Sequence, residues 1–302
     1  MGDLKEKIQV FIKQHQLPLH YESAVRRLLL PFSEKLAALI FSTHQPFVLG
    51  ISGPQGAGKS TLASLLSLLW QAQLEQSQRN TTIVTLSLDD FYYSHEQRQQ
   101  LASNIHPLLA TRGVPGTHDI AFALRTLESL KQLAADETIA VPKFDKATDN
   151  PFPEEQWPVI CGPVDLIILE GWCLGARAQI NETLIAPINV LEQSEDADGR
   201  WRHYVNECLK ANYQSFFQLI DHLMYLQVPS FGCVYQWRAL QEENLRKQSK
   251  LTSSRLMTEK QLIRFIQHYE RITVTSMDSL PSCADTLLTL DNQHRMIDLV
   301  SK

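Results

Sequence analysis

The segment Gly53-Pro54-Gln55-Gly56-Ala57-Gly58-Lys59-Ser60, continued by Thr61, fits the spacing G-x-x-x-x-G-K-[ST] at every constrained position. Successive backbone N–H groups in such a loop point into one cavity, and the helix that follows adds its positive end, so phosphate oxygens are held with few side chains. In this reading Gly53, Gly56 and Gly58 permit the tight path, Lys59 reaches the β- and γ-phosphates of a nucleoside triphosphate, and Ser60 can hold Mg²⁺. A second group, SLDDFYYS from Ser87 to Ser94, sets Asp89 and Asp90 side by side ahead of Phe91 and Tyr92. A carboxylate there can orient and deprotonate an alcohol for in-line attack, hold Mg²⁺ through water, or simply cap a helix. Phe91 and Tyr92 fit either an acceptor pocket or the core. The third group is LIILEGW, in which four apolar residues deliver Glu170 to the end of a strand. An acid so placed suits a metal and phosphate site, since burying it without a cation or donor costs several kcal/mol.

These groups need a scaffold that brings strand ends together. PFVLGIS, with a predicted strand at Phe47–Ser52, precedes the glycine loop, and Leu62, Leu65, Leu66 and Leu69 behind the loop line one side of a helix. Further strands are expected over 81–88, 164–170, 223–228 and 284–290. Several are near-continuous apolar runs rather than alternating ones, which argues for a parallel sheet covered by helices on both faces, an α/β class. In such a sheet ligands lie beyond the carboxyl ends of the strands, where Asp89, Glu170 and the glycine loop would meet. Helical periodicity is also expected over 120–134 and 200–220. The first 45 residues read as a separate helical extension, with Leu4, Ile8, Phe11 and Ile12 on one face and Pro31 at a break or a helix start. The polar interval 89–119 and the Pro-rich stretch 142–163 exceed ordinary loop length and so read as site-building insertions. The acidic stretch LEQSEDADG at 191–199 lacks Ca-loop spacing and reads as a solvated loop.

Composition bounds the function. The chain has 302 residues, 44 % apolar, with 28 Lys and Arg against 33 Asp and Glu, a net charge of −5. That balance disfavours a protein whose main task is to bind nucleic acid along its surface. No apolar run approaches the roughly 20 residues of a membrane span, and no leader pattern opens the chain, so a cytoplasmic, soluble protein is expected. Cysteines at 161, 173, 208, 233 and 283 form no CxxC pair, which disfavours zinc and a disulfide framework, while Cys173 beside the Glu170 turn is a candidate for oxidation. A GTP switch is also disfavoured, because KFDK at 143–146 lacks the Asn of a guanine reader.

With these motifs in place the chain resembles the P-loop kinases of the phosphoribulokinase, uridine kinase and pantothenate kinase type, and within them the D-glycerate 3-kinases and their fungal and bacterial relatives. The resemblance runs from about 47 to 290. It rests on GPQGAGKST, LDDFYYS, RGVPGTHD at 112–119, VPKFDK at 141–146, LIILEGWCLG and VYQWRALQEENLR at 234–246, in that order. It implies a P-loop NTPase fold with strand order 2-3-1-4-5, ATP and Mg²⁺ as cofactors, Asp89 as base, and Glu170 with Ser60 at the metal. It also makes 232–256 a lid, whose Arg238, with Arg246 next, approaches the transferring phosphoryl and helps exclude water. In RGVPGTHD, Thr117 is the expected N-cap of a helix and Asp119 an early helical residue, leaving Arg112 and His118 to meet an anionic acceptor. Tyr92, Asp119 and Lys143 complete the expected acceptor side.

The expected reaction is transfer of the γ-phosphoryl of ATP to a hydroxyl of a small carboxylated polyol, D-glycerate by resemblance. The chain departs from the family after PKFDK, where ATDNPFPEEQWPVI replaces a Gly- and Arg-containing stretch, and this bears on the acceptor. Two other readings stay open: a kinase for another acceptor such as pantothenate or a nucleoside, and an ATP-binding interaction protein with little transfer activity. The expected organisation is an extension over 1–45 and a kinase domain over 46–302.

Overall fold

The computed structural model describes residues 2–40, 42, 45–76, 81–248 and 257–302. Its centre is a sheet of β1 (Phe47–Ser52), β2 (Ile83–Ser87), β3 (Leu166–Gly171), β4 (His222–Gln227), β5 (Thr286–Leu290) and β6 (Met296–Ser301). Their spatial order is β2-β3-β1-β4-β5-β6. The first five are parallel, with Phe47 and Ile83 both in register with Leu166, Leu49 with His222, and Met224 with Thr286. β1 and β3 are buried at every position, which is why their sequences run apolar without alternation. β6 pairs antiparallel to β5 at the edge. Only Met296 is buried in it and its register is irregular, so the sequence pattern MIDLVS carries little strand signal.

The second strand ends sooner than its apolar run. Ser87 accepts from the Asp89 amide at 3.3 Å while the Asp90 carboxylate accepts from the Ser87 amide at 3.1 Å, and this reciprocal capping starts a 3₁₀ turn over Leu88–Phe91. That turn carries Asp89 off the sheet's carboxyl end.

One face of the sheet is covered by the helix Lys59–Gln76 and by the N-terminal helices Gly2–Gln14, His20–Ala24 and Leu30–Ile40, the last two joined by a π turn at Val25–Leu29. Ile8, Phe11, Leu29 and Leu36 share one buried cluster with Leu62, Leu65, Leu66 and Trp70. Trp70 Nε1 donates to the Ser33 carbonyl at 2.9 Å, which fixes the angle of the extension against the central helix. Pro31 lies inside the unbroken helical run from His20 to Ile40, directly after the π turn Val25–Leu29, whose wider bonding accommodates a residue with no N–H. The other face packs the helix Ile120–Gln132 and the helical run Arg200–Phe217 in a second cluster that includes Leu127, Leu130, Val205 and Phe216.

The stretch 191–199 is a correction to the expected solvated loop. It forms the helix Val190–Glu195, and Glu192 and Asp196 are buried. Arg271 binds Glu192 at 2.5 Å and Arg202 binds Asp196 at 2.9 Å, so the acids are neutralised inside the fold. No helix among the described residues is long and apolar enough to cross a membrane.

Candidate active site

The glycine loop runs from the end of β1 into the helix Lys59–Gln76. Gly56 and Gly58 have φ of +79° and +93°, the left-handed region that side chains with a Cβ resist. Lys59 Nζ turns back to the Pro54 carbonyl at 3.1 Å, and Ser60 Oγ donates to Glu170 Oε1 at 2.9 Å. Glu170 is buried at the end of β3, in register with Ile51 one residue before the loop's strand ends. Burial pulls the Lys59 ammonium below its ordinary pKa, against the opposing pull of the Glu170 and Asp89 carboxylates. The loop lysine and both acids therefore share one electrostatic environment. A hydroxyl and a carboxylate oxygen side by side form the hard oxygen donor set that Mg²⁺ prefers.

Asp89 accepts from Tyr92 Oη at 2.8 Å and pairs with Lys146 Nζ at 2.6 Å. Burial raises its pKa, but the Lys146 ammonium and these two hydrogen bonds outweigh it and hold the carboxyl below the usual range. Asp90 has a different place. It pairs with Lys143 at 2.7 Å and accepts from the amides of Ser87 and Phe144, so it ties the VPKFDK turn to the end of β2. Lys143, expected on the acceptor side, sits on Asp90, while its neighbour Lys146 reaches Asp89.

RGVPGTHD folds around Thr117, which accepts from the Gly113 amide at 2.9 Å and donates to the Val114 carbonyl at 2.7 Å. The N-cap of Ile120–Gln132 is Asp119, accepting from the Phe122 amide at 2.8 Å. This corrects the expected Thr117 cap: the hydroxyl is spent closing the turn, and the cap passes to the next residue able to serve. Gly113, at φ +133°, lies so close to the Tyr269 hydroxyl that a Cβ would overlap it. His118 is buried, stacked on Tyr92 with ring centres 4.4 Å apart, and its Nδ1 meets Tyr213 Oη at 2.6 Å. Burial lowers its pKa to about 3 despite the nearby Asp89, so the ring is neutral, and Nε2 has no hydrogen-bond partner among the described residues. Arg112 pairs with Asp149 and lies 5.5 Å from the Phe144 ring centre, and the Tyr269 hydroxyl donates to its carbonyl at 2.8 Å.

The helix Phe231–Gln248 starts over the loop. Trp237 packs by Gly56 and stacks on His294 at 4.3 Å, and the guanidinium of Arg238 lies 5.8 Å from the Phe265 ring centre. The side chain of Arg246, and residues 249–256 of the expected lid, lie outside the described residues. A cavity of about 120 Å³ opens beside Ala57, Gly58 and Thr61, between the N-terminal helices and the loop after β5 that carries Gln293 and His294. Cys173 is fully buried and burial raises its thiol pKa, which makes the expected oxidation a poor fit.

Tyr213, Tyr269 and His294 are the site-lining groups that motif reading passed over, and Lys146 was singled out only as part of the charged VPKFDK turn, without the contact that gives it meaning. Tyr269 and Tyr213 look like core aromatics in sequence, and only their hydroxyls connect them to RGVPGTHD.

Comparison with known proteins bears on this arrangement. Residues 30–114 match the KAP family P-loop domain. The uncharacterised kinase mug58 of Schizosaccharomyces pombe is 35 % identical over 275 residues, covering 84 % of this chain and 91 % of its own length. The chain belongs to the P-loop kinase family. The chloroplastic D-glycerate 3-kinase of Arabidopsis thaliana is 28 % identical over 247 residues, 80 % of this chain and 50 % of that protein. A solved structure described as D-glycerate 3-kinase from Cryptococcus neoformans var. grubii superposes with a TM-score of 0.66 at 23 % identity, covering 90 % of this chain and 99 % of that one, a shared fold. Small-molecule phosphorylation is the class of chemistry this chain serves.

Proposed function

We propose that the chain transfers the γ-phosphoryl group of ATP to a hydroxyl of D-glycerate, giving 3-phosphoglycerate. The observation that carries this reading is the joint placement of Lys59, Asp89 and Glu170 at the carboxyl ends of β1, β2 and β3, close enough for both acids to act on the lysine's proton affinity. A base with a depressed pKa is ionised at neutral pH and can accept the proton of an acceptor hydroxyl as that oxygen attacks phosphorus. Tyr92 fixes the orientation of this carboxylate, and His118, neutral and stacked on Tyr92, offers Nε2 to an acceptor polar group. Lys59 and Arg238 stabilise charge on the phosphoryl oxygens. Ser60 and Glu170 would hold Mg²⁺, which when bound neutralises phosphate charge. The cavity beside Thr61, mostly apolar with Gln293 and His294 at its edge, suits a nucleobase, which supports a nucleotide donor.

The choice of D-glycerate rests on likeness to proteins with that name and on the cationic setting, in which Lys146 and Arg112 stand near Asp89. An acceptor panel with ATP and Mg²⁺, reading ADP formation and then product mass, tests it. Faster turnover with pantothenate or a nucleoside would remove D-glycerate from the proposal. Tight ATP binding with no acceptor-stimulated turnover would favour an ATP-binding interaction protein.

A further inference from the structure

The short hairpin of Phe144–Asp145 and Asn150–Pro151 is pinned from several sides. Lys143 and the Phe144 amide hold Asp90, Arg98 and Arg112 both bind Asp149, and the His95 amide donates to Asn150 Oδ1 at 2.9 Å. Inside the turn the Asp145 carboxylate accepts from the Ala147 amide and from Thr148 Oγ1, each at 2.8 Å. A fixed turn thus projects one long side chain, Lys146, onto Asp89 Oδ2 at 2.6 Å, with 62 % of that side chain exposed. Asp89 is already held by Tyr92 and by the 3₁₀ turn, so it keeps its place without this ammonium. An exposed ammonium on a flexible stem is a contact that a competing anion can exchange at little cost.

We propose that Lys146 is a gate on Asp89: its ammonium occupies the carboxylate until an anionic ligand group draws it away, leaving Asp89 open to the acceptor hydroxyl. The proposal rests on Asp89 being the base. In the step that follows, the hydroxyl oxygen forms the new O–P bond, its proton passes to Asp89, and the β,γ-bridging oxygen leaves with the electron pair of the broken P–O bond. The drawing anion is a terminal phosphate or an acceptor carboxylate, the same chemistry from two sources. Lys59, Glu170, Arg112, Tyr92, His118, Cys173 and Tyr269 also face this pair and set its field.

The test uses Lys146→Met, Lys146→Arg and Asp89→Asn in the full chain. With Lys146 present, kcat/KM for D-glycerate stays flat with acid down to about pH 5, because the base is ionised there. Lys146→Met loses activity with acid at a higher pH than the parent, since burial then raises the Asp89 pKa unopposed, and its MgATP affinity falls only if the terminal phosphate is the drawing anion. Lys146→Arg keeps the flat profile. In protein reductively methylated with ¹³C, the Lys146 resonance, assigned by its loss in Lys146→Arg, moves on adding MgATP alone if the phosphate draws it, or D-glycerate alone if the carboxylate does. A Lys146→Met enzyme with the parent rate and profile, or a resonance unmoved by either ligand, overturns the gate. An active Asp89→Asn enzyme overturns the base reading itself, whereas an inactive one beside a parent-like Lys146→Met overturns only the gate.

Discussion

Asp89→Asn separates chemistry from architecture because the structure gives Asp89 little framework duty. An Asn keeps an oxygen for the Tyr92 hydroxyl, now at 2.8 Å, but sets an NH2 group where Oδ2 accepted from Lys146, so both the charge and that exposed hydrogen bond are lost. The pair it breaks is more than half exposed on the lysine side, a setting in which ion pairs contribute about 0–1 kcal/mol. The stability change should therefore stay below about 1 kcal/mol. Catalysis should suffer far more, since a positioned base contributes about 10²- to 10⁴-fold, or roughly 3–5 kcal/mol of barrier. The nucleotide loop is untouched, so MgATP affinity by titration calorimetry should match the parent within about threefold, below 1 kcal/mol. ADP formation with D-glycerate, urea unfolding and calorimetry on the same preparation give the three numbers. Turnover within threefold of the parent would refute the role of Asp89, and a folded variant that no longer binds MgATP would refute the separation of base from loop.

Three further outcomes follow from named contacts. Arg98 is buried and binds the Tyr93, Ala110 and Asp149 carbonyls as well as the Asp149 carboxylate, which Arg112 also holds, so Arg98→Leu should cost at least about 2 kcal/mol in urea unfolding by stranding the three carbonyls. Glu170→Gln keeps an acceptor for Ser60 but removes the charge, and the Mg²⁺ concentration for half-maximal activity should rise at least about tenfold in a metal titration. His118 and His268 have pKa values lowered by burial to about 3 and about 4, below the ordinary value near 6.5. Between about pH 4 and 6.5 the unfolded chain binds protons that the native one does not, so stability falls as pH falls, by up to about 1.4 kcal/mol per pH unit for each group. Urea midpoints at pH 5 and pH 7 check this, and equal midpoints would contradict it.

Local chemistry was legible where one residue type does one job. The glycine loop announces itself because φ values near +80° to +90° and close phosphate contact leave few alternatives to Gly at 56 and 58. β1 and β3 read clearly because burial on both faces demands unbroken apolar runs. β6 was hidden for the converse reason: an edge strand with exposed residues need satisfy only its backbone. The acids at 192 and 196 were misjudged because charge in sequence suggests solvent, while their partners Arg271 and Arg202 stand 79 and 6 residues away and signal nothing at that range.

The same limit explains the lysine pair at 143 and 146. Sequence shows two like charges three residues apart on one turn, with two acids at 89 and 90 far upstream. Which cation meets which acid depends on the strand end and the hairpin meeting in space. Once Asp90 is committed to capping Ser87 and binding the Phe144 amide, Lys143 is the cation beside it, and the bend through Asp145 carries Lys146 on to Asp89. A buried acid that accepts two amides is fixed, whereas an acid held by one phenol and one exposed ammonium can be released. The division of labour between two adjacent aspartates thus follows from their hydrogen-bond partners, and it is Asp89, the releasable one, that shares the field of Lys59.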